Sequence, residues 1–154
     1  MFSDQVFSWG GTNGGRSPCL THSFQGLTGG KAHPRLLVVD DETHARITTA
    51  RMLRYEGFEV IEAASGKEAL ATLAANPDIR LAIIDVVMPE MPGTVLASLL
   101  PQVAPACGII LMTGYTRDQA RLGSSFSAHP VLVKPFTTNQ LIKQVVTLLE
   151  GGSH

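Results

Sequence analysis

Five short, largely apolar runs separated by segments of helical period constrain this chain more than anything else in it. They are Leu36–Val39, Phe58–Ile61, Leu81–Ile84 leading into Asp85, Cys107–Met112 and Val131–Val133. Runs this short and this apolar read as strands buried on both faces, as in a parallel sheet. The segments between them read as helices. Ile47, Ala50 and Leu53 share a face of one that ends near Glu56, with Gly57 placed as its C-terminal cap. Ser65 and Glu68 form a capping box, each side chain expected to satisfy the other residue's amide, on a helix that carries Ala69, Leu70 and Leu73 and ends at Asn76-Pro77. A short helix over Thr94–Leu100 is expected to stop at Pro101, and another to run from Thr116 to about Leu122. Thr137–Gln140 caps a last helix through Leu149. Strands alternating with helices imply right-handed crossovers and a parallel sheet covered on both sides. The expectation is a doubly wound α/β domain over residues 35–150.

The remainder of the chain narrows the class of protein. With 154 residues there is room for one domain with a real core, and 44% hydrophobic against 16% charged residues excludes a disordered chain. A net charge of −1 leaves no electrostatic footprint for nucleic acid or an anionic membrane. No apolar run approaches the ~18 residues of a membrane span, and the N-terminus lacks the pattern of a signal peptide. A cytoplasmic location is expected. Cys19 and Cys107 are too few for a disulfide framework, and Cys107, in an apolar strand-like run, reads as a buried reduced thiol. Residues 1–34 carry Gly-Gly pairs among Ser, Thr and Asn and read as a flexible linker. Phe2, Phe7, Trp9 and Phe24 leave open a docking peptide instead. Residues 151–154 form a short tail.

Polar residues gather at one end of the strands. Asp40 and Asp41 end the first, Asp85 the third, Thr113 the fourth and Lys134 the fifth. Taken singly each has an ordinary explanation: Asp85 as a strand-ending acid, Asp41 as a helix cap, Lys134 as a solvated strand end, Thr113 as a turn residue. Together, if the strands lie side by side, they form one site at the carboxyl edge, where open parallel sheets bind ligands. Three close carboxylates repel each other unless a cation joins them, and Mg²⁺ with oxygen ligands suits them. A metal and a lysine beside a carboxylate fit phosphoryl transfer, with Asp85 as nucleophile, Lys134 paired to it and Thr113 offering a hydroxyl.

Leu-Val-Val-Asp-Asp (37–41), Ile-Asp-Val-Val-Met-Pro-Glu-Met-Pro-Gly (84–93), Leu-Met-Thr-Gly-Tyr (111–115) and Val-Lys-Pro-Phe (133–136) resemble, in order, the signature of the response-regulator receiver domain. The resemblance covers 35–150 and implies a flavodoxin-like five-stranded parallel sheet of order 2-1-3-4-5. It also implies roles: Asp85 as phosphoacceptor; Asp40, Asp41, Asp85 and the backbone carbonyl of Val87 as Mg²⁺ ligands; Thr113 as switch hydroxyl; Lys134 as the motif's lysine, followed by a cis bond to Pro135. One departure is Val131, where the family usually has a Tyr or Phe that reports phosphorylation. Tyr115 and Val87 flank the entrance to the site and are candidates for shielding it from water.

The expected partner is a sensor histidine kinase or a histidine phosphotransferase, and the Met-Pro-Glu-Met-Pro-Gly loop resembles receivers of hybrid kinases. The chain stops at Gly151-Gly152-Ser153-His154, which suggests a free-standing receiver or a piece of a larger kinase. In the last helix, Leu141, Ile142, Val145, Val146, Leu148 and Leu149 occupy more than one face, so a homodimer or a partner helix is a candidate there. Two other functions compete. A docking module would keep the fold without phosphorylation. An Asp-based phosphohydrolase of the haloacid-dehalogenase type would need an acid at Val87, and has none.

Overall fold

The computed structural model describes residues 34–114 and 129–151. The flexible segment expected before residue 34, the helix expected from Thr116, Tyr115, Cys19 and the tail residues 152–154 lie outside the described residues. Five strands form one all-parallel sheet: β1 (Arg35–Val39), β2 (Glu59–Ala63), β3 (Ile79–Asp85), β4 (Gly108–Thr113) and β5 (Val131–Val133), in the order β2-β1-β3-β4-β5. Four described helices accompany them: α1 (Thr43–Tyr55), α2 (Gly66–Ala75), α3 (Gly93–Val103) and α4 (Thr138–Gly151).

Because neighbouring strand residues point to opposite faces, each apolar run feeds two cores. Leu37, Val39, Ala82, Ile84, Ile109 and Leu111 pack with Ala69, Leu73, Leu96 and Leu100 of α2 and α3. Leu36, Val38, Leu81, Ile83, Ile110 and Met112 pack on the other side with Leu53 of α1 and Leu141, Ile142 and Val145 of α4. Full burial of each Leu, Ile, Val or Met side chain among them stabilises the fold by about 1.5–3 kcal/mol. The central strands β1, β3 and β4 are therefore apolar and covered over most of their length, with Arg35 and Arg80 only near their starts, while the edge strand β2 carries Glu59 and Glu62.

Local signals explain most of the element ends. Gly57 has φ 101°, a conformation that favours glycine. Its N–H donates to the Arg54 carbonyl and the N–H of Phe58 to that of Leu53, the paired closure of a Schellman motif. Thr137 and Gln140 cap α4 reciprocally, at 3.1 and 2.8 Å. The box at α2 differs in one respect: Ser65 accepts from the Glu68 amide, but the Glu68 carboxylate reaches past Ser65 to the amide of Ala64.

Three further expectations are corrected, at Pro101, Phe58 and Cys107. Pro101 does not end α3, which continues to Val103. The ring lies in the last turn on an exposed position, and the ladder resumes beyond it with the Ala104 amide donating to the Leu100 carbonyl. Strand β2 begins at Glu59, because Phe58 is spent on the helix closure and buried in the core. Cys107 stands just before β4 rather than in it, half-buried and with a free thiol. On α4, Leu141, Ile142, Val145 and Leu149 are buried, and Val146 and Leu148 pack half-buried against the same core. The sheet thus accounts for most of the apolar surface of that helix.

Candidate functional site

The site lies at the carboxyl ends of β1, β3, β4 and β5. Parallel pairing sets the strand ends level: Val39 lies opposite Ile84, Asp85 opposite Met112, and Thr113 opposite Val133. The residues that follow emerge together. One oxygen from each of Asp40, Asp41 and Asp85 lies within 4.8 Å of the others. Asp40 and Asp85 are buried and Asp41 is exposed. Lys134 points into the cluster, with Nζ 3.1 Å from Asp40 Oδ2 and 3.7 Å from Asp85 Oδ2. The expected Lys134–Asp85 pair is therefore the longer of two contacts, and Asp40, wholly removed from solvent, is the closer partner. The Lys134–Pro135 bond is cis, as the resemblance implies.

Helix capping decides which acids remain available. Asp41 does not cap α1. Glu42 does, accepting from the amides of Ala45 at 2.7 Å and His44 at 3.4 Å. The Ala45 hydrogen bond holds the Glu42 carboxyl below its ordinary range. Asp41 is left with an exposed carboxylate facing the cluster. Asp40 is fixed by the Glu42 amide, which donates to Oδ1 at 3.0 Å. The Val87 amide lies 3.4 Å from Asp85 Oδ1, which draws the Val87 main chain to the same acid. Thr113 is fully buried, and its carbonyl accepts from the Lys134 amide at 2.7 Å, so β4 and β5 present the two residues side by side.

Burial pushes the Asp85 carboxyl up to about 7; the Lys134 ammonium opposes the shift, and the neighbouring Asp40 carboxylate adds to it. The cluster is thus crowded with negative charge that one lysine does not relieve. The donors are all oxygen, two buried and one open to water, which fits a hard divalent cation that keeps part of its hydration.

Two positions escaped the sequence reading. A Cβ on Gly93 would collide with the Asp85 carbonyl oxygen and lie 2.8 Å from the Asp85 carbonyl carbon, so this glycine lets α3 start against the strand that carries Asp85. The signature motif that contains it is a signal, but the motif alone does not show that the Asp85 main chain lies against this residue. Arg46 of α1 donates from Nη1 to the Asp40 carbonyl at 2.9 Å, and no local pattern marks that contact.

Residues 36–146 match the response regulator receiver domain family, and the chain belongs to it. It is 37% identical over 117 residues to the sensor kinase CckA of Brucella abortus, covering 75% of this chain and 12% of that protein. With the transcriptional regulatory protein PrrA of Mycobacterium tuberculosis it shares 35% over 124 residues, 78% of this chain and 52% of PrrA. The chain therefore spans from about an eighth to about half of the length of these relatives. Among solved structures, the response regulator TrrA of Thermotoga maritima, in complex with Mg²⁺-BeF, superposes with a TM-score of 0.66 at 34% identity, covering 75% of this chain and 98% of that one. The chain accordingly carries a receiver domain of the two-component response-regulator family, and domains of this class are signalling phosphoacceptors rather than conventional enzymes. Among the described residues, no helix is long and apolar enough to cross a membrane.

Proposed function

We propose that residues 35–150 act as a receiver that takes a phosphoryl group from a phosphohistidine onto Asp85 and changes shape around β4 in response. In the transfer, an Asp85 carboxylate oxygen bonds to phosphorus as the N–P bond breaks. The departing imidazole nitrogen keeps the bonding electrons and takes a proton from water. The carboxylates of Asp40, Asp41 and Asp85, with the carbonyl of Val87, would hold Mg²⁺, which supplies positive charge to the phosphoryl oxygens. Lys134 exchanges its carboxylate partners for a phosphoryl oxygen, and Thr113 turns its hydroxyl toward another. The domain promotes only its own phosphorylation and dephosphorylation.

One observation carries this reading: three carboxylates converge within 4.8 Å, with the lysine of a separate strand 3.1 and 3.7 Å from two of them. The partner we propose is a sensor histidine kinase or a histidine phosphotransferase. Similarity to CckA, a sensor kinase, supports it. So does an open groove of about 640 Å³ beside Lys134, walled by Ala45, Thr48 and Met52 of α1 and by Pro135 and Phe136. A homodimer or partner helix on α4 would rest on Val146 and Leu148 alone. The free thiol of Cys107 fits a reducing, cytoplasmic compartment. Residues 1–34 are proposed as a linker and 151–154 as a tail. With Val131 in place of an aromatic, the Thr113 hydroxyl would switch without a ring to follow it.

Incubation with Mg²⁺ and acetyl phosphate, followed by intact mass, tests the proposal. A gain of one phosphoryl group, absent in Asp85→Asn and after EDTA, is expected. No gain would leave the docking module as the better account.

A further inference from the structure

The Arg46 side chain ties the acidic turn between β1 and α1 to β2. Arg46 Nη1 donates to the backbone carbonyl of Asp40 at 2.9 Å, and Nε to Glu62 Oε1 at 3.2 Å. Its side chain is only 16% exposed, so both contacts are made largely away from water. Glu62 lies on β2, and the next residue, Ala63, accepts from the Asp40 amide at 3.1 Å. Both polar groups of the Asp40 main chain are thus tied: the amide to the edge strand directly, the carbonyl to the same strand through the guanidinium. The planar fork allows this, because it holds two acceptors at a fixed angle, where an ammonium is a point charge on a flexible stem. Glu62 is held in turn by Arg54 Nη1 at 3.1 Å, and Arg54 also reaches the Val60 carbonyl at 2.8 Å. Arg54 does not bond to Asp40 itself.

We infer that Arg46 is a positioning residue for the Mg²⁺ site, fixing the main chain at Asp40 so that the carboxylates of Asp40 and Asp41 are held at cation-binding separation before the cation arrives. The guanidinium is bonded to the main chain and to Glu62, so it acts through the backbone and not as a ligand. The inference rests on the proposed function. Groups that orient metal ligands typically contribute about 10–100-fold to metal affinity, so loss of this anchor is expected to weaken Mg²⁺ binding by about ten-fold or more.

The test compares Arg46→Gln with Arg54→Gln in the full chain. Amide shifts in ¹H–¹⁵N spectra, titrated with MgCl₂, give Kd and report whether each variant is folded. Arg46→Gln is expected to raise Kd about ten-fold. Arg54→Gln removes a partner of the same Glu62 without touching Asp40, and is expected to stay within about two-fold of the parent. A parental Kd in Arg46→Gln, or an equal rise in both variants, overturns the inference. If Arg46→Gln does not fold, Arg46→Lys replaces it, since an ammonium on a flexible stem lacks the fixed fork that holds these two acceptors; a parental Kd there likewise overturns it. A parent chain that binds no Mg²⁺ and takes no phosphoryl group defeats the proposed function instead. A parent that does both beside an unaltered Arg46 variant defeats only this inference.

Discussion

Replacing Gly93 by alanine tests whether space, rather than backbone conformation, puts a glycine beside the candidate site. Gly93 opens α3, and its N–H donates to the Val86 carbonyl at 2.9 Å. Of the described glycines only Gly57 has a positive φ, so conformation does not demand a glycine at 93. A Cβ there would lie 2.8 Å from the Asp85 carbonyl carbon and 2.9 Å from Val86 Cα. Carbon atoms in contact settle near 3.5–4.0 Å, so the backbone must retreat by at least about 0.7 Å, and further to clear the Asp85 carbonyl oxygen. The obstacle is main chain and has no rotamer to change. Overpacking of this kind costs about 1–3 kcal/mol, while the stiffer unfolded chain returns about 0.4–1 kcal/mol. A net loss of roughly 1–2 kcal/mol corresponds to a fall in Tm of roughly 3–10 °C for a domain of this size. The retreat moves Asp85 itself, so phosphoryl uptake from acetyl phosphate should slow as well. Gly57→Ala is the control: its φ of 101° makes it strained and destabilised by about 1–2 kcal/mol, yet it stands at the opposite end of α1 from the site and should leave the uptake rate unchanged. Thermal denaturation and timed intact-mass spectra measure both quantities. Gly93→Ala with the parent's Tm and rate would refute the steric argument.

Further outcomes follow from the same coordinates. Lys134→Met removes the ammonium paired with the buried Asp40 carboxylate, and uptake should slow by about 100-fold or more, as on loss of a charge-stabilising donor; a parental rate would show that Lys134 does not meet the phosphoryl group. Burial pushes the Cys107 thiol up to about 12, so iodoacetamide at pH 8 should label it slowly in the folded protein and rapidly in urea. The sign for stability follows. Above the ordinary thiol pKa the unfolded chain releases this proton while the folded one retains it, so unfolding free energy falls as pH rises from about 9 toward 12. In urea titrations across that range, Cys107→Ala should show the smaller fall, and equal falls would contradict the burial argument.

Much of the fold could be read from the chain because local chemistry and global packing agree. An apolar run such as Leu81–Ile84 suits a short strand covered on both faces, and Gly57 and Thr137 mark helix ends by conformational and hydrogen-bonding preferences that act over a few residues. Where a local rule competed with its surroundings it failed. Pro101 stays within α3 because the ladder resumes behind it, and Asp41 yields the cap to Glu42, whose longer side chain reaches two amides.

Residue types and their order, by themselves, determined that this is a doubly wound parallel sheet with acids and a lysine at its strand ends, since periodicity and strand-terminal polarity are properties of neighbours along the chain. Only the tertiary structure decided that Lys134 sits closer to Asp40 than to Asp85, that Gly93 must be bare, and that Arg46 grips the Asp40 carbonyl. Those facts depend on strand register and on the close approach of segments up to 94 residues apart, which no local preference encodes.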